Sequence, residues 1–210
     1  MRKTRMALAI IAILTSLALA SGAPAQTAGP EDSVNSFHEA LISTMKDGRA
    51  LGESGRYARL QPVIYRLFDL PLMSRLALGT SWGNLSPAQQ QVATVAFGAY
   101  VSATYADRFD DYSGQRLEII GQQPSSSGVI VKTRIVKSNG EPVRVDYALR
   151  QNEGTWHICD IYLDGTISQL ATQRSEFGAI LRREGFDGLI VTLQHKVKLL
   201  AGIIASASSV

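Results

Sequence analysis

Four consecutive segments, residues 117–123, 129–137, 143–151 and 156–163, alternate side chains with a period of two and are separated by only a few turn residues each. Val129, Val131, Thr133 and Ile135 alternate with Ile130, Lys132, Arg134 and Val136. Val143, Val145, Tyr147 and Leu149 alternate with Arg144, Asp146, Ala148 and Arg150. Such alternation marks strands with one buried and one wetter face. The turn clusters at 124–128, 138–140 and 152–154 are too short for crossovers, so neighbouring strands must be antiparallel hairpins. A four-stranded antiparallel sheet with one apolar face must be covered by something, and the rest of the chain reads as helix.

Before the sheet, Val34, Phe37, Leu41 and Met45 mark the buried face of a helix beginning near Asp32 or Ser33 and ending at Asp47-Gly48. Two further helices are expected over 57–68, with Pro62 limiting its regularity, and 69–78, with Pro71 near its start. A turn over 79–85 carries Trp82. Ser86, Pro87 and Gln89 then form a capping box opening the longest helix, which reaches to Tyr112. Val92, Val95, Ala99, Ala103 and Ala106 share one side of it, whereas Phe97, Tyr100, Val101, Tyr105 and Tyr112 occupy another. A helix apolar on two sides is covered on both, either between helices and sheet or against a ligand.

After the sheet, Asp164-Gly165 turns the chain into a helix for which Thr166 and Gln169 offer a capping start. Ile167, Leu170, Ala171, Phe177 and Leu181 form its apolar face. Arg174 falls on that face and needs an acceptor; Asp160 and Asp146 on adjacent strands are the candidates. The expectation is an ion pair, Asp160 with Arg174, tying strand to helix or holding a polar head group. Gly185 breaks the helix. A closing amphipathic helix over 187–205 either packs on the core or touches a membrane surface in passing. Helices, four antiparallel strands and more helices make an α+β fold.

The first 25 residues stand apart. Arg2, Lys3 and Arg5 precede an apolar run, and Ala23-Pro24-Ala25 offers a cleavage site, so residues 1–25 read as a secretory signal peptide, with an uncleaved anchor as the alternative. A linker over 26–31 and a single α+β domain with a helical subdomain over 32–210 follow. Of the 21 Lys+Arg, three lie in the leader, leaving 18 basic against 18 acidic residues and no basic stripe for nucleic acid. The single cysteine, Cys159, has no partner within the chain; it is either a buried apolar residue or a redox thiol.

The sequence lacks a nucleophile elbow, a zinc-helix motif, a phosphate-binding loop and a cysteine pair. His38, His157 and His195 lie on separate elements. Asp107, Asp110 and Asp111 cluster without a calcium-loop pattern and read as a solvated helix end. Neither a metal nor an organic cofactor is expected.

The block Trp156, Asp160, Asp164-Gly165, Ile167-Ser168 and Arg174-Ser175-Glu176-Phe177, followed by Gly185-Phe186-Asp187-Gly188-Leu189-Ile190, resembles the toluene-tolerance family of periplasmic lipid-binding proteins, the MlaC-like carriers. Phe68-Asp69-Leu70, Met73, Leu78-Gly79, Trp82, Ser86, Gln89-Gln90, Phe97 and Tyr105 extend the likeness over residues 65–193. The broader family has one residue fewer than Gly165-Thr166-Ile167-Ser168, which places the chain nearest the hopanoid-associated HpnM branch. The resemblance implies a curved, NTF2-like sheet whose helices complete an apolar cavity. It further implies a hopanoid or phospholipid ligand and a membrane-embedded lipid transporter as partner.

The expected lining is Val129, Val131, Val145 and Tyr147 on the sheet, Phe97, Val101 and Tyr105 on the long helix, and Ile167 and Leu170 after it; the competing reading is that these residues are solid core. Two other functions stay open. One is a small enzyme on this scaffold using Asp160, and the other is a structural adaptor with an apolar outer patch.

Overall fold

A computed structural model describes residues 28–203. The order is α1 (Pro30–Lys46), α2 (Gly48–Leu67), α3 (Leu70–Leu78), a tight helical run (Gly79–Asn84), α4 (Pro87–Arg108), β1 (Arg116–Ser125), β2 (Gly128–Val136), β3 (Pro142–Asn152), β4 (Thr155–Leu163), β5 (Ile167–Ser168) and α5 (Gln169–Leu200). The leader and the last residues of the expected domain lie outside the described residues. Helix α1 begins at Pro30, so the end of the expected linker is already helical.

The sheet is an antiparallel meander in the order β1-β2-β3-β4-β5. The expected four strands are present. The fifth is a two-residue addition in which Ile167 pairs with Leu163 and Ser168 with Tyr162. Register shifts between Ile119 and Gly121 and between Ala148 and Leu149 bend the sheet into a curve.

Its inner face forms rows: Val129 opposite Leu149 and Leu149 opposite Ile158, then Val131 opposite Tyr147 and Tyr147 opposite Ile161. Ile135 opposite Val143 comes last. On the outer face Asp146 is buried but paired to Arg144 at 2.6 Å, and Glu118 joins Arg116 and Arg134.

Helix α2 starts earlier than expected because residues 48–56 are also helical, with a change of direction at Gly52 (φ 61°, ψ −176°). The glycines at 48, 52 and 55 leave no apolar stripe to read there. Arg56 is buried in this stretch and donates from Nε to the Ala106 carbonyl at 2.8 Å and from Nη1 to the Gly48 carbonyl at 3.2 Å. A cation on the Ala106 carbonyl in the last turn of α4 complements the negative end of that helix and ties α2 to it. Helix α4 has the expected capping box but stops at Arg108, because the following loop packs tightly against the backbone at Gly48. Gly98 permits the crossing of α4 over α2 and α3: a Cβ there would lie 2.8 Å from Leu70 and 2.9 Å from Tyr65.

The helix after the sheet is capped by Ser168, not Thr166. Ser168 Oγ accepts from the Ala171 amide at 2.9 Å and donates to Asp160 Oδ2 at 2.6 Å. Thr166 instead closes the turn onto the Leu163 carbonyl. Gly185 (φ 71°, ψ −170°) breaks α5 as expected. Its two arms fold back on one another, since Lys196 Nζ bonds Glu176 Oε1 across the break.

Candidate functional site

The inner face of the sheet is covered along only part of its length. Helix α1 packs against β2 and β4, and Ser33 Oγ donates to the Trp156 carbonyl at 2.9 Å. Phe37 projects from α1 into an aromatic cluster, with ring centroids 5.0 Å from Phe68, 5.0 Å from Tyr105 and 6.1 Å from Tyr147, all edge to face. Beyond this plug the sheet and helices separate, leaving a cavity of about 580 Å³, within the range of roughly 300–1,000 Å³ typical of ligand sites.

Tyr105 and Tyr147 form the cavity's inner end. Val143, Val145, Ile135, Ile161 and Leu163 supply the sheet wall; Tyr100, Val101 and Thr104, with Phe109 just past the helix end, supply the α4 wall; and Leu170, Thr172 and Gln173 supply the α5 wall. Arg108, Asp110, Asp111, Gln115 and Lys137 form a polar rim at the C-terminal end of α4. Burial pushes the phenols of Tyr105 and Tyr147 upward, so both hydroxyls stay protonated at neutral pH.

Among the residues expected to line a cavity, Val101, Tyr105, Val145, Tyr147 and Leu170 do so. Phe97 and Val131 are fully buried in the packed core, Phe97 lying 6.4 Å from the Phe177 ring. Val129 is half-buried against the same core. Ile167 is 52% exposed because it belongs to β5 and not to the helical stripe to which its spacing assigned it. Ile135, Val143, Ile161 and Leu163 were missed, although they continue the same period-two rows. Tyr100 and Thr104 were missed, although each immediately precedes an expected lining residue, Val101 and Tyr105.

The expected ion pair is absent. Asp160 accepts from the Ile161 amide at 2.7 Å, the Leu170 amide at 3.2 Å and Ser168 Oγ at 2.6 Å, so its carboxylate is spent on holding the start of α5. Arg174 is exposed on the flank of α5 and lies over the backbone of Gly79. The other candidate acceptor, Asp146, is taken by Arg144.

Cys159 is buried, and burial together with nearby Asp160 and Asp69 pushes its thiol up to about 11, which leaves it protonated and unreactive at neutral pH. His38 is buried with its ring 5.5 Å from that of Tyr147; neither ring nitrogen has a hydrogen-bond partner, and burial pushes its pKa down to about 4. Among the described residues no group of three or more His, Cys, Asp or Glu side chains is placed to hold a metal. No described helix is long and apolar enough to cross a membrane.

The family model described as MlaC protein matches residues 35–195, which contain every wall of this cavity. The chain belongs to the MlaC family. The intermembrane phospholipid transport system binding protein MlaC of Haemophilus influenzae is 25% identical over 123 residues, 56% of this chain and 57% of that protein. The chain thus spans little more than half the length of this MlaC relative. A solved structure of the phospholipid-binding protein from Ralstonia solanacearum, in complex with a phospholipid, superposes with a TM-score of 0.72 at 23% identity, covering 83% of this chain and 99% of that one. At that identity the likeness establishes the MlaC-like fold: a curved antiparallel sheet with helices over one face.

Proposed function

We propose that the chain is a periplasmic lipid carrier of the MlaC family. It takes the apolar part of a glycerophospholipid or a hopanoid into the cavity and passes the lipid between membrane transport complexes. The observation that carries this reading is the hollow end of the sheet's apolar face, walled by aliphatic and aromatic side chains and rimmed by Arg108 and Lys137. A lipid with ~30 buried methylene-equivalents would lose on the order of 24 kcal/mol on exposure to water, so a carrier needs an enclosed apolar wall more than it needs any single contact. The rim, in which Arg108 and Lys137 stand beside Asp110 and Asp111, suits a polar head group left at the surface.

The phospholipid named for both relatives supports the first ligand class. The residue added at Gly165-Thr166-Ile167-Ser168 supports the second. Residues 32–210 act as one unit in this account, delivered by the leader at 1–25. An embedded lipid transporter is the partner, and contact with the membrane surface is transient. Turnover at Asp160 is disfavoured because that carboxylate is engaged by three donors and does not line the cavity.

The test is mass spectrometry of protein exported and purified without detergent, first intact and then after organic extraction. A stoichiometric two-chain phospholipid or triterpenoid is expected. Folded protein that stays empty after incubation with both lipid classes would overturn the reading.

A further inference from the structure

The surroundings of the cavity differ from side to side. At the end of α4 and on the β2–β3 hairpin stand Arg108, Asp110, Asp111 and Lys137. Where β5 leads into α5, by contrast, residues 165–173 carry no charge, and Gln169, Leu170 and Thr172 of this stretch line the cavity. Arg144, the cation beside the Gly165 turn, belongs to the outer face and is paired with Asp146. Glu176, further along α5, is bonded by Lys196.

Ile167 stands on this uncharged side. It pairs with Leu163, which pairs in turn with Val145, and residues directly opposite across a sheet point to the same face. Val145 and Leu163 line the cavity, so Ile167 continues their row beyond it onto β5, the last strand of the sheet. The next residue agrees with this direction: Ser168 sends its hydroxyl to Asp160, which pairs with Ala148 of the outer face. Ile167 is therefore on the cavity side of the sheet and yet 52% exposed.

The cavity's volume is about 580 Å³. A methylene fills about the ~30 Å³ of a water molecule, so one chain of ~15 methylenes needs ~450 Å³ and a two-chain lipid with ~30 needs ~900 Å³. One chain fits and two do not. The hydrocarbon left over must lie on apolar surface or in water, and the charged side offers it no such surface. Resting on the carrier reading above, we propose that Ile167 is the outer hydrocarbon contact of a two-chain lipid. It carries the part of the second chain that the cavity does not enclose, and so favours two-chain lipids over single-chain ones.

The experiment measures equilibrium uptake of dipalmitoyl-phosphatidylcholine from vesicles, and binding of the lysophosphatidylcholine that keeps one of the same chains. Wild type, Ile167→Thr, Ile167→Leu and Ile120→Thr are compared, with folding followed by circular dichroism; threonine is β-branched and suits a strand. Ile120 is the control, an isoleucine equally exposed at 52% but on β1 at the opposite edge of the sheet. Each variant is set against wild type for the same lipid, so the hold of the vesicle on its lipid cancels. Ile167→Thr is expected to take up the two-chain lipid about fivefold more weakly, the effect of uncovering half an isoleucine side chain, and to bind the single-chain lipid within about twofold of wild type. Ile167→Leu and Ile120→Thr should match wild type for both lipids. Equal losses for both lipids, no loss in a folded Ile167→Thr, or the same loss in Ile120→Thr would each overturn the proposal while leaving the carrier reading standing. Slower uptake that reaches the wild-type occupancy would also overturn it, assigning Ile167 to contact with the bilayer instead. Wild-type protein that takes up neither lipid would overturn both.

Discussion

The two ends of the sheet's inner face are built from the same kinds of residue and do different things. At one end Val131, Leu149 and Ile158 are at most 1% exposed and lie in one packed core with Val34 and Phe37 of α1. At the other, Ile135, Val143, Val145 and Leu163 continue the same rows but face open space. Their side-chain chemistry does not differ; what differs is the element opposite. Helix α1 and the ring of Phe37 close the first end, while α4 and the start of α5 hold off from the second. The chain makes a cavity by withholding a layer, with no special lining residue.

The largest effect that can break this comparison is removal of the plug. Phe37→Ala deletes a fully buried ring that touches Phe68, Tyr105 and Tyr147, and should cost about 3–5 kcal/mol in chemical denaturation. A cost near that of a surface substitution would mean the closed end is not packed. Next in size is the pH response of His38, which lies behind Tyr147. Its pKa falls from 6.5 to about 4 on folding, so the unfolded chain binds the extra proton between those values. The stability this contributes is complete above pH 6.5 and is lost as pH falls toward 4, a loss of roughly 3 kcal/mol. The loss should vanish in His38→Phe, measured as melting temperature against pH. Smaller still is Asp160→Asn, which removes charge and acceptor capacity from the start of the α5 wall. A loss of about 1–2 kcal/mol is expected, with lipid affinity reduced as Leu170 and Gln173 lose their anchor. Unchanged stability would show that Asp160 does not position that wall.

The strands were legible because alternation and turn clusters are local properties, and so were the Ser86 capping box and the Gly185 break. The division of the apolar face was not. A valine facing a void and a valine facing a phenylalanine obey the same period, so Val131 and Val145 could not be told apart without the position of Phe37. The Asp160–Arg174 pairing failed for a related reason. Spacing put Arg174 on the apolar stripe, but Ser168 caps the helix and uses Asp160 as its support, leaving Arg174 on the flank beside Gly79. Arg56 escaped notice because three glycines obscure the helix that carries it, and its acceptors are backbone carbonyls that leave no complementary residue in the sequence.

The most direct measurement places one tryptophan at each end of the same face and reads both melting temperature and copurified lipid. Val131→Trp has no room and should unfold the protein. Ile135→Trp enters the cavity and should keep the wild-type melting temperature to within a few degrees while the bound lipid disappears. Unfolding of Ile135→Trp as readily as Val131→Trp, or full lipid occupancy in a folded Ile135→Trp, would contradict the account.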